Sequence, residues 1–483
     1  MKRYILIIAM FIVAFTSCKK FIDVNTNPND PVDVPAKLLL TNTTIGTAWI
    51  SGSYLGRAAA VLMQYNAGLS GDPNDIDVYQ MDDKFDNAWN FEIYTTIPNL
   101  RIIINKTQAE SPAYAGIAKL QMAYIFSVAT DLWGDVPYSQ AGFATEFPQP
   151  RFDKQEDIYQ GNGDIKGLLD LVKEGVADLS KPSTTKPTTD DIVYAGNLDK
   201  WKRMGNTLLL KLAIQISTRN PTLAKSTISD VITGNTFIND NSLDYEVPFA
   251  NSTSNQNPYF QYDIVYRPDE EMASLRFINM MKLLNDTVRL NKYYTKPNGV
   301  FTGYDNGNNV VAPTLANRSR YNTYVVGSLV SPATAAVPVR IITNYQRAFI
   351  LAEAAVILGT AGDANALYQE GIKASMKKTG MTDAEINTYF ATNPAIVTLA
   401  GTTAQKQQQI ITQKYIASVG NALEAYNDFR RTGYPALTVS QFAAGDDPNS
   451  IPKRYPYIST EAQRNPNQPN PRIRTNVKVW WGL

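Results

Sequence analysis

The sequence contains no histidine and only one cysteine, Cys18, among its 483 residues. The absence of histidine excludes Ser-His-Asp and Cys-His catalysis, histidine-ligated zinc or iron, haem on a proximal histidine and any pH switch based on imidazole. With one cysteine the chain can form neither an internal disulfide nor a cysteine-based zinc site. Carboxylate chemistry, lysine chemistry, oxygen-ligated cations and binding without catalysis are left.

An excess of one charge sign is also missing. The chain has 45 Lys and Arg against 44 Asp and Glu, which gives a formal net charge of +1. Proteins that bind nucleic acid hold its phosphates with an excess of basic residues, so no nucleic-acid partner is expected. Tyrosine is abundant instead, with 27 copies beside 18 Phe and 6 Trp. A tyrosine-rich surface suits ligands with apolar faces and hydroxyl groups, although we expect most of these rings to fill a helical core.

Long hydrophobic runs are scarce, and the only early one is short. A basic start at Met1–Arg3 precedes twelve apolar residues, Tyr4–Phe15, whereas a membrane span needs about 20. Small residues and then Cys18 follow, which is typical of a bacterial lipoprotein signal that is cleaved before an acylated cysteine. We predict a signal peptide at 1–17, lipid attachment at Cys18 and a polar tether at 18–35. An ordinary secretory signal with a chance cysteine is the alternative.

Apolar residues recur at helical spacing along most of the remaining chain. Ser111-Pro112 begins such a pattern as N-cap and first helical residue, and Gly134 ends it. Further helices are predicted at 198–218, 341–358 and 403–431, with weaker patterns at 36–50, 54–65, 85–106, 165–179 and 364–378. The spacing predicts a mainly α fold with helices in adjacent pairs, and residues 36–483 are interpreted as a single domain.

The helical pattern thins out between Tyr245 and Tyr324, a segment that holds nine of the 27 tyrosines. Long irregular segments in compact domains usually carry function or are disordered, and the many rings favour function. Sugars stack their C–H faces on aromatic rings and hydrogen-bond amides and arginines, so rings interleaved with such residues indicate a sugar site. The predicted stacking rings are Tyr262, Tyr266, Tyr304 and Tyr324, with Arg267 and Asn306 as polar partners and Tyr79 and Trp89 on a facing loop.

Calcium is an alternative use of the polar residues in this segment. The run Asp305–Asn309 places carboxylate and amide oxygens close together, as calcium sites do, but it lacks the later glutamate and the spacing of an EF-hand. We therefore expect no cofactor and keep Ca²⁺ as a hypothesis.

Several segments, in order along the chain, resemble the SusD/RagB family of nutrient-binding outer-membrane lipoproteins, in its SusD-like branch. They cover nearly the whole chain behind the lipoprotein signal. The matching segments are Cys18–Asn29 (CKKFIDVNTNPN), Asp131–Ala141 (DLWGDVPYSQA), Trp201–Ile216 (WKRMGNTLLLKLAIQI), Ala348–Gly359 (AFILAEAAVILG), Gln413–Pro435 (QKYIASVGNALEAYNDFRRTGYP), Pro452–Asn465 (PKRYPYISTEAQRN) and Val479–Trp481.

The resemblance implies tetratricopeptide-like helix pairs with an irregular, loop-rich ligand-binding region packed on them. It also implies a lipid-anchored protein at the surface of the outer membrane. Such a protein caps a SusC-like TonB-dependent transporter and passes it oligosaccharides or, in some members, peptides, without catalysis. Two other functions are kept as alternatives: a carboxylate-based glycoside hydrolase, and a helical scaffold that binds only protein.

Structural roles are expected for several residues in the matching segments. Glu353 lies among apolar residues and would be costly to bury alone, so we expect an Arg or Lys partner. Arg430 and Arg431 fall in the last turn of a predicted helix, which Gly433 can end. Trp480 and Trp481 are expected to fix the C-terminus to the body of the protein.

Overall fold

The computed structural model describes residues 34–327 and 335–483. The predicted signal peptide, Cys18 and all of the tether except Val34 and Pro35 lie outside the described residues. The helices of the first half are α1 (Ala36–Gly52), α2 (Tyr54–Leu62), α3 (Gly71–Asp77), α4 (Thr96–Thr107), α5 (Pro112–Trp133), α6 (Gln155–Gln160), α7 (Leu168–Asp178), α8 (Leu198–Gln215) and α9 (Pro221–Gly234).

The second half continues with a similar number of helices. They are α10 (Pro258–Phe260), α11 (Leu275–Leu283), α12 (Thr287–Tyr293), α13 (Asn344–Ile357), α14 (Ala364–Lys378), α15 (Asp383–Thr392), α16 (Pro394–Val397), α17 (Thr403–Ala417), α18 (Ala422–Thr432) and α19 (Ser459–Arg464). Two of the described segments are π-helical, π1 (Ala88–Tyr94) and π2 (Gln261–Tyr266), and 3₁₀ turns occur at Asn241–Leu243, Pro297–Gly299 and Leu315–Asn317.

Helices that follow one another along the chain pack on one another. This holds for α4 with α5, α7 with α8, α8 with α9, and α13 with α14. The prediction of a mainly α fold built from adjacent helix pairs is therefore confirmed. The long helix predicted to end at Gly134 does so, at a glycine with φ +84°.

The single helix predicted at 403–431 is wrong. The structure divides this segment into α17 and α18, with Gly420 between them at φ +86°. A right-handed helix cannot continue through this left-handed backbone, which glycine adopts without steric cost. The apolar pattern hides the break because Val419 and Leu423, on either side of Gly420, are both buried and preserve the helical spacing.

The segment 245–324 contains more regular structure than its sequence pattern indicates. It includes π2, a strand at Glu271–Ala273, and the helices α11 and α12. These helices have nine and seven residues, so their apolar spacing repeats over only about two turns. Side-chain caps begin them: Ser274 accepts from the Arg276 N–H, and Asp286 accepts from the Arg289 N–H.

The described strands form three two-stranded antiparallel sheets. β1 (Asn66–Gly68) pairs with β5 (Glu271–Ala273), β2 (Val136–Pro137) with β3 (Phe152–Asp153), and β4 (Tyr245–Val247) with β6 (Val339–Ile342). The first sheet matters most for function, because it brings the chain that follows π2 beside the chain that follows α2.

One large hydrophobic core extends from Leu39 to Trp481. Two polar contacts within it match the expectations from the sequence. Arg431 binds Glu353 through both guanidinium nitrogens, at 2.7 and 2.8 Å, with both side chains fully buried. The indole N–H of Trp481 donates to Asp131 at 2.9 Å and so holds the C-terminus against α5. Within the ranges 34–327 and 335–483, no helix is long and apolar enough to cross a membrane.

Candidate ligand-binding site

An open cavity of about 530 Å³ lies where the N-terminal helices meet the segment around π2. This volume is within the range of small-molecule sites. We term it the aromatic cavity because its lining includes partly exposed rings. Its lining residues are Trp49, Tyr54, Arg57, Gly71, Asp72, Lys84, Asn87, Ala88, Phe91, Glu92, Tyr262, Arg267 and Glu270.

Both π-helices contribute to this cavity. π1 supplies Phe91 and Glu92, and π2 supplies Tyr262. The π-helix is rare and occurs frequently at functional sites. The segment 85–106, predicted as one helix, is in fact divided into π1 and α4, and Phe91 lies 70% exposed on the cavity wall. An apolar ring with so much exposed surface contributes little to the stability of the fold. It is therefore available to contact a ligand.

Arg57 organises the rings. Its guanidinium carbon lies 3.5 Å from the centre of the Tyr262 ring and 5.8 Å from that of Tyr54. The contact with Tyr262 is close enough for a strong cation–π interaction, which fixes the ring plane. The Tyr262 hydroxyl donates to the Glu270 carboxylate, and burial raises the pKa of this hydroxyl well above its ordinary value. Tyr262 is therefore held in one orientation before any ligand arrives.

Lys84 also lines the cavity and binds two aspartates. The Lys84 ammonium donates to Asp72 at 2.8 Å and to Asp75 at 2.6 Å. These hydrogen bonds raise the pKa of Lys84, so the group stays charged. Asp72 also accepts from the Tyr54 hydroxyl at 3.1 Å, which joins the ring of Tyr54 to the same network.

Glu92 connects π1 to the start of α2. Its carboxylate accepts from the backbone N–H groups of Tyr54 and Leu55, at 3.1 and 3.3 Å. It thus satisfies free donors at a helix N-terminus, where negative charge is favourable. Burial nevertheless dominates and raises the pKa of Glu92 to about 7.

A glycine is required where α3 begins. Gly71 has φ +61°, and a Cβ atom there would lie 3.1 Å from the carboxylate of Glu270. Glu270 also lies 3.7 Å from the Arg267 guanidinium. The close approach of Gly71 to Glu270 brings the α3 side of the cavity against the chain that follows π2.

The residues predicted from the sequence divide into three groups. Tyr262 and Arg267 line the aromatic cavity. Tyr266 is 63% exposed but does not line it. The other five residues are buried, whereas the sequence predicted rings exposed on loops. Direct contact between these five and a ligand stays a prediction. These five are Tyr79, Trp89, Tyr304, Asn306 and Tyr324.

The polar groups of the buried tyrosines are used within the protein. The Tyr304 hydroxyl donates to the Val310 carbonyl at 2.6 Å, and the Tyr79 hydroxyl accepts from the Ser440 N–H at 3.0 Å. The Tyr324 ring is covered by the Arg340 guanidinium carbon, 3.9 Å from its centre. These tyrosines therefore connect segments of the protein to one another.

Trp89 and Asn306 are enclosed in the same manner. Trp89 packs edge to face against Trp133, with ring centres 5.0 Å apart. The Asn306 amide donates to the Asn66 carbonyl at 2.9 Å and to Asp77 at 2.8 Å. Asn306 therefore connects the chain that follows α12 to β1.

The calcium hypothesis gains no support from the geometry. Asp305 binds the Arg276 guanidinium at 2.6 Å and also accepts from Gln441. In the described part of the chain, no three His, Cys, Asp or Glu side chains form a group that could hold a metal ion.

Several lining residues escape sequence reasoning. Trp49, Tyr54 and Arg57 belong to α1 and α2, where their spacing predicts ordinary core helices. Phe91 lies in a segment read as one regular helix. The segment 72–89 contributes Asp72, Lys84, Asn87 and Ala88 to the lining.

The sequence matches a family model described as starch-binding and associating with the outer membrane, over residues 28–458. The chain belongs to this SusD-like family. No curated protein sequence matches it.

Solved structures of SusD homologues share the fold of this SusD-like chain. One from Bacteroides uniformis has a TM-score of 0.78 at 24% identity, covering 93% of this chain and 100% of its own. A chitin-binding SusD homologue from Flavobacterium johnsoniae has a TM-score of 0.76 at 21% identity, covering 93% and 98%. A SusD/RagB family protein from Bacteroides thetaiotaomicron has a TM-score of 0.76 at 22% identity, covering 93% and 100%.

Proposed function

We propose that this SusD-like protein binds oligosaccharides in the aromatic cavity and does not alter them chemically. The observation that carries the proposal is the pairing of ring faces with fixed polar groups in one open cavity. Phe91 and Tyr262 supply the faces, while Arg57, Lys84 and Asn87 supply hydrogen-bond donors. Sugars present both kinds of surface, and a mostly apolar or a mostly charged ligand would leave one set unused.

The family supports a sugar ligand. Its description names starch, and structural relatives include chitin-binding proteins. These names refer to different sugars. The proposal therefore covers oligosaccharides as a class and does not identify the monomer.

Binding without hydrolysis is supported by the state of the carboxylates in the cavity. Hydrolysis of a glycosidic bond needs one carboxyl group as acid and a second as base or nucleophile. Here Asp72 binds Lys84 and Tyr54, Glu92 binds two backbone N–H groups, and Glu270 binds Tyr262. Each is occupied in holding the cavity together.

The cellular role follows from the signal and the family. We propose that Cys18 carries lipid, that the protein lies at the surface of the outer membrane, and that it delivers oligosaccharides to a SusC-like TonB-dependent transporter. The family description places its members in association with the outer membrane, and the sequence before residue 18 has the form of a lipoprotein signal.

A titration of the detergent-solubilised protein with oligomers of N-acetylglucosamine, with oligomers of glucose and with short peptides tests the proposal. Saccharide binding without the appearance of shorter products is expected. Tyr262→Ala should weaken binding by roughly ten- to a hundredfold, in line with about 1–3 kcal/mol for a stacked ring. Tyr266→Ala is the matched control, because that ring is exposed outside the cavity. Cleaved saccharides would favour the hydrolase, and silence toward saccharides with retained transporter binding would favour a protein-binding scaffold.

A further inference from the structure

A second open cavity, of about 470 Å³, lies beside the aromatic cavity, and the side chain of Lys84 lines both. We term it the polar cavity. The residues that matter in its lining are Gln80, Asp82, Lys84, Asp446, Arg472 and Arg474.

Lys84 forms the boundary between the two cavities. Its ammonium bridges Asp72, which lines the aromatic cavity, and Asp75, which lines the polar cavity. The Lys84 side chain is 24% exposed, so it is reachable from solvent along this boundary. The two cavities therefore meet at Lys84.

The polar cavity offers fixed hydrogen-bond donors. Arg472 donates to Asp82, and also to Asp446 at 2.9 Å. Arg474 donates to the backbone carbonyl of Asp446, and its side chain remains 62% exposed. The Asp446 carboxylate is held in turn by the Thr475 N–H at 2.6 Å. Both arginines are thus bound to Asp446, which is 17% exposed, and both line the cavity.

No described residue gives the polar cavity an exposed ring face. Tyr79 is the aromatic residue in its lining and is only 2% exposed, so a sugar there could not stack on it. A ligand in this cavity must be held by hydrogen bonds to its hydroxyl or carbonyl groups.

The charges of the polar cavity are balanced. Three cations face three carboxylates: Lys84, Arg472 and Arg474 against Asp75, Asp82 and Asp446. Since a single-sign field is absent, the cavity has no means of selecting an acidic or sulfated sugar over a neutral one.

We propose that the polar cavity is a second subsite, which binds the continuing part of a neutral oligosaccharide through its hydroxyl or carbonyl groups while the aromatic cavity stacks the first part. This inference rests on the proposed function. It assigns to the protein a preference for chains long enough to span Lys84.

The length dependence of binding tests the subsite. The probes are the dimers and hexamers of β-1,4-linked N-acetylglucosamine and of α-1,4-linked glucose, titrated into the detergent-solubilised full chain. The hexamer of the recognised sugar is expected to bind at least about tenfold more tightly than the dimer. Arg474→Ala should bring the ratio of hexamer to dimer affinity close to one and leave the dimer affinity unchanged. Lys478→Ala, which removes the same charge from an exposed position outside the cavity, should leave the ratio intact.

The outcomes separate the subsite from the proposed function. If dimer and hexamer bind equally, or if Arg474→Ala weakens both alike or neither, the subsite is overturned while sugar binding stands. If none of the four probes binds, both the proposed function and the subsite are contradicted. Arg474→Ala should have the same melting temperature as the unmodified protein. A changed ratio of hexamer to dimer affinity then reflects the cavity itself.

Discussion

Glu92 makes the stability of this protein depend on pH near neutrality. Its carboxyl group lies in π1 beneath the aromatic cavity, and burial raises its pKa from an ordinary 4.5 to about 7. A carboxyl group with a raised pKa in the folded state binds its proton more tightly when folded than when unfolded. Its contribution to stability is therefore full below pH 4.5 and is lost as the pH rises through 7.

The size of the effect follows from the shift. A rise of the pKa from 4.5 to about 7 corresponds to a change of about 3 kcal/mol in the free energy of unfolding over the whole pH range. Most of this change falls between pH 5 and pH 8. Glu92→Gln removes this titration. The amide also introduces a fixed cost, because its NH₂ group faces one of the backbone N–H groups that the carboxylate accepts from. That cost is the same at every pH and cancels when two pH values are compared.

Chemical denaturation at pH 5 and pH 8 measures the effect. The unmodified protein should lose more stability between these values than Glu92→Gln, by about 2–3 kcal/mol. Asp77 and Asp244, whose pKa values burial likewise raises to about 7, contribute to the slope in both proteins and do not affect the comparison. Glu156→Gln, at an exposed position in α6, is the control and should reproduce the unmodified profile. Equal slopes for the protein and Glu92→Gln would refute the reasoning.

Three further predictions concern the anchor, the core and metal binding. Cys18→Ala should release the protein from membranes, measured by fractionation, and mass spectrometry should find lipid on Cys18 of the unmodified protein; a mature chain with unmodified Cys18 would contradict this. Arg431→Met should lower the free energy of unfolding by about 3–5 kcal/mol, because it leaves Glu353 buried without its cation; a loss below about 1 kcal/mol by denaturant titration would show that the pair is not buried. Millimolar calcium should leave the melting temperature unchanged, and a rise would restore the calcium hypothesis.

Much of the fold could be predicted because long helices carry their own pattern. α5, α8, α13 and α14 bury one or more faces over at least three turns, so their apolar spacing and end signals are visible in the sequence. The break at Gly420 could not be predicted in the same way, since the apolar residues on both sides keep the spacing of one helix. The short helices α11 and α12 repeat their apolar spacing over only about two turns. Contacts with distant segments, such as the one from Arg289 in α12 to Gln413, are not contained in a local pattern.

The site was harder to predict because a ring looks the same in the sequence whether it is buried or exposed. Tyr304 and Tyr262 both lie among amides in the tyrosine-rich segment. Tertiary packing encloses Tyr304, whereas Arg57 from α2 holds Tyr262 at the edge of an open cavity. Phe91 is exposed and lies in π1, and neither composition nor spacing indicates a π-helix.

The affinity of Phe91→Ala for the saccharide found by titration tests the central claim most directly. Phe91 is 70% exposed on the wall of the aromatic cavity, and Phe442, which is 55% exposed outside it, provides a control of the same residue type. Phe91→Ala should weaken binding by roughly ten- to a hundredfold with little change in melting temperature, while Phe442→Ala leaves affinity unchanged. Equal affinities for Phe91→Ala, Phe442→Ala and the unmodified protein would contradict the claim that the aromatic cavity binds the sugar.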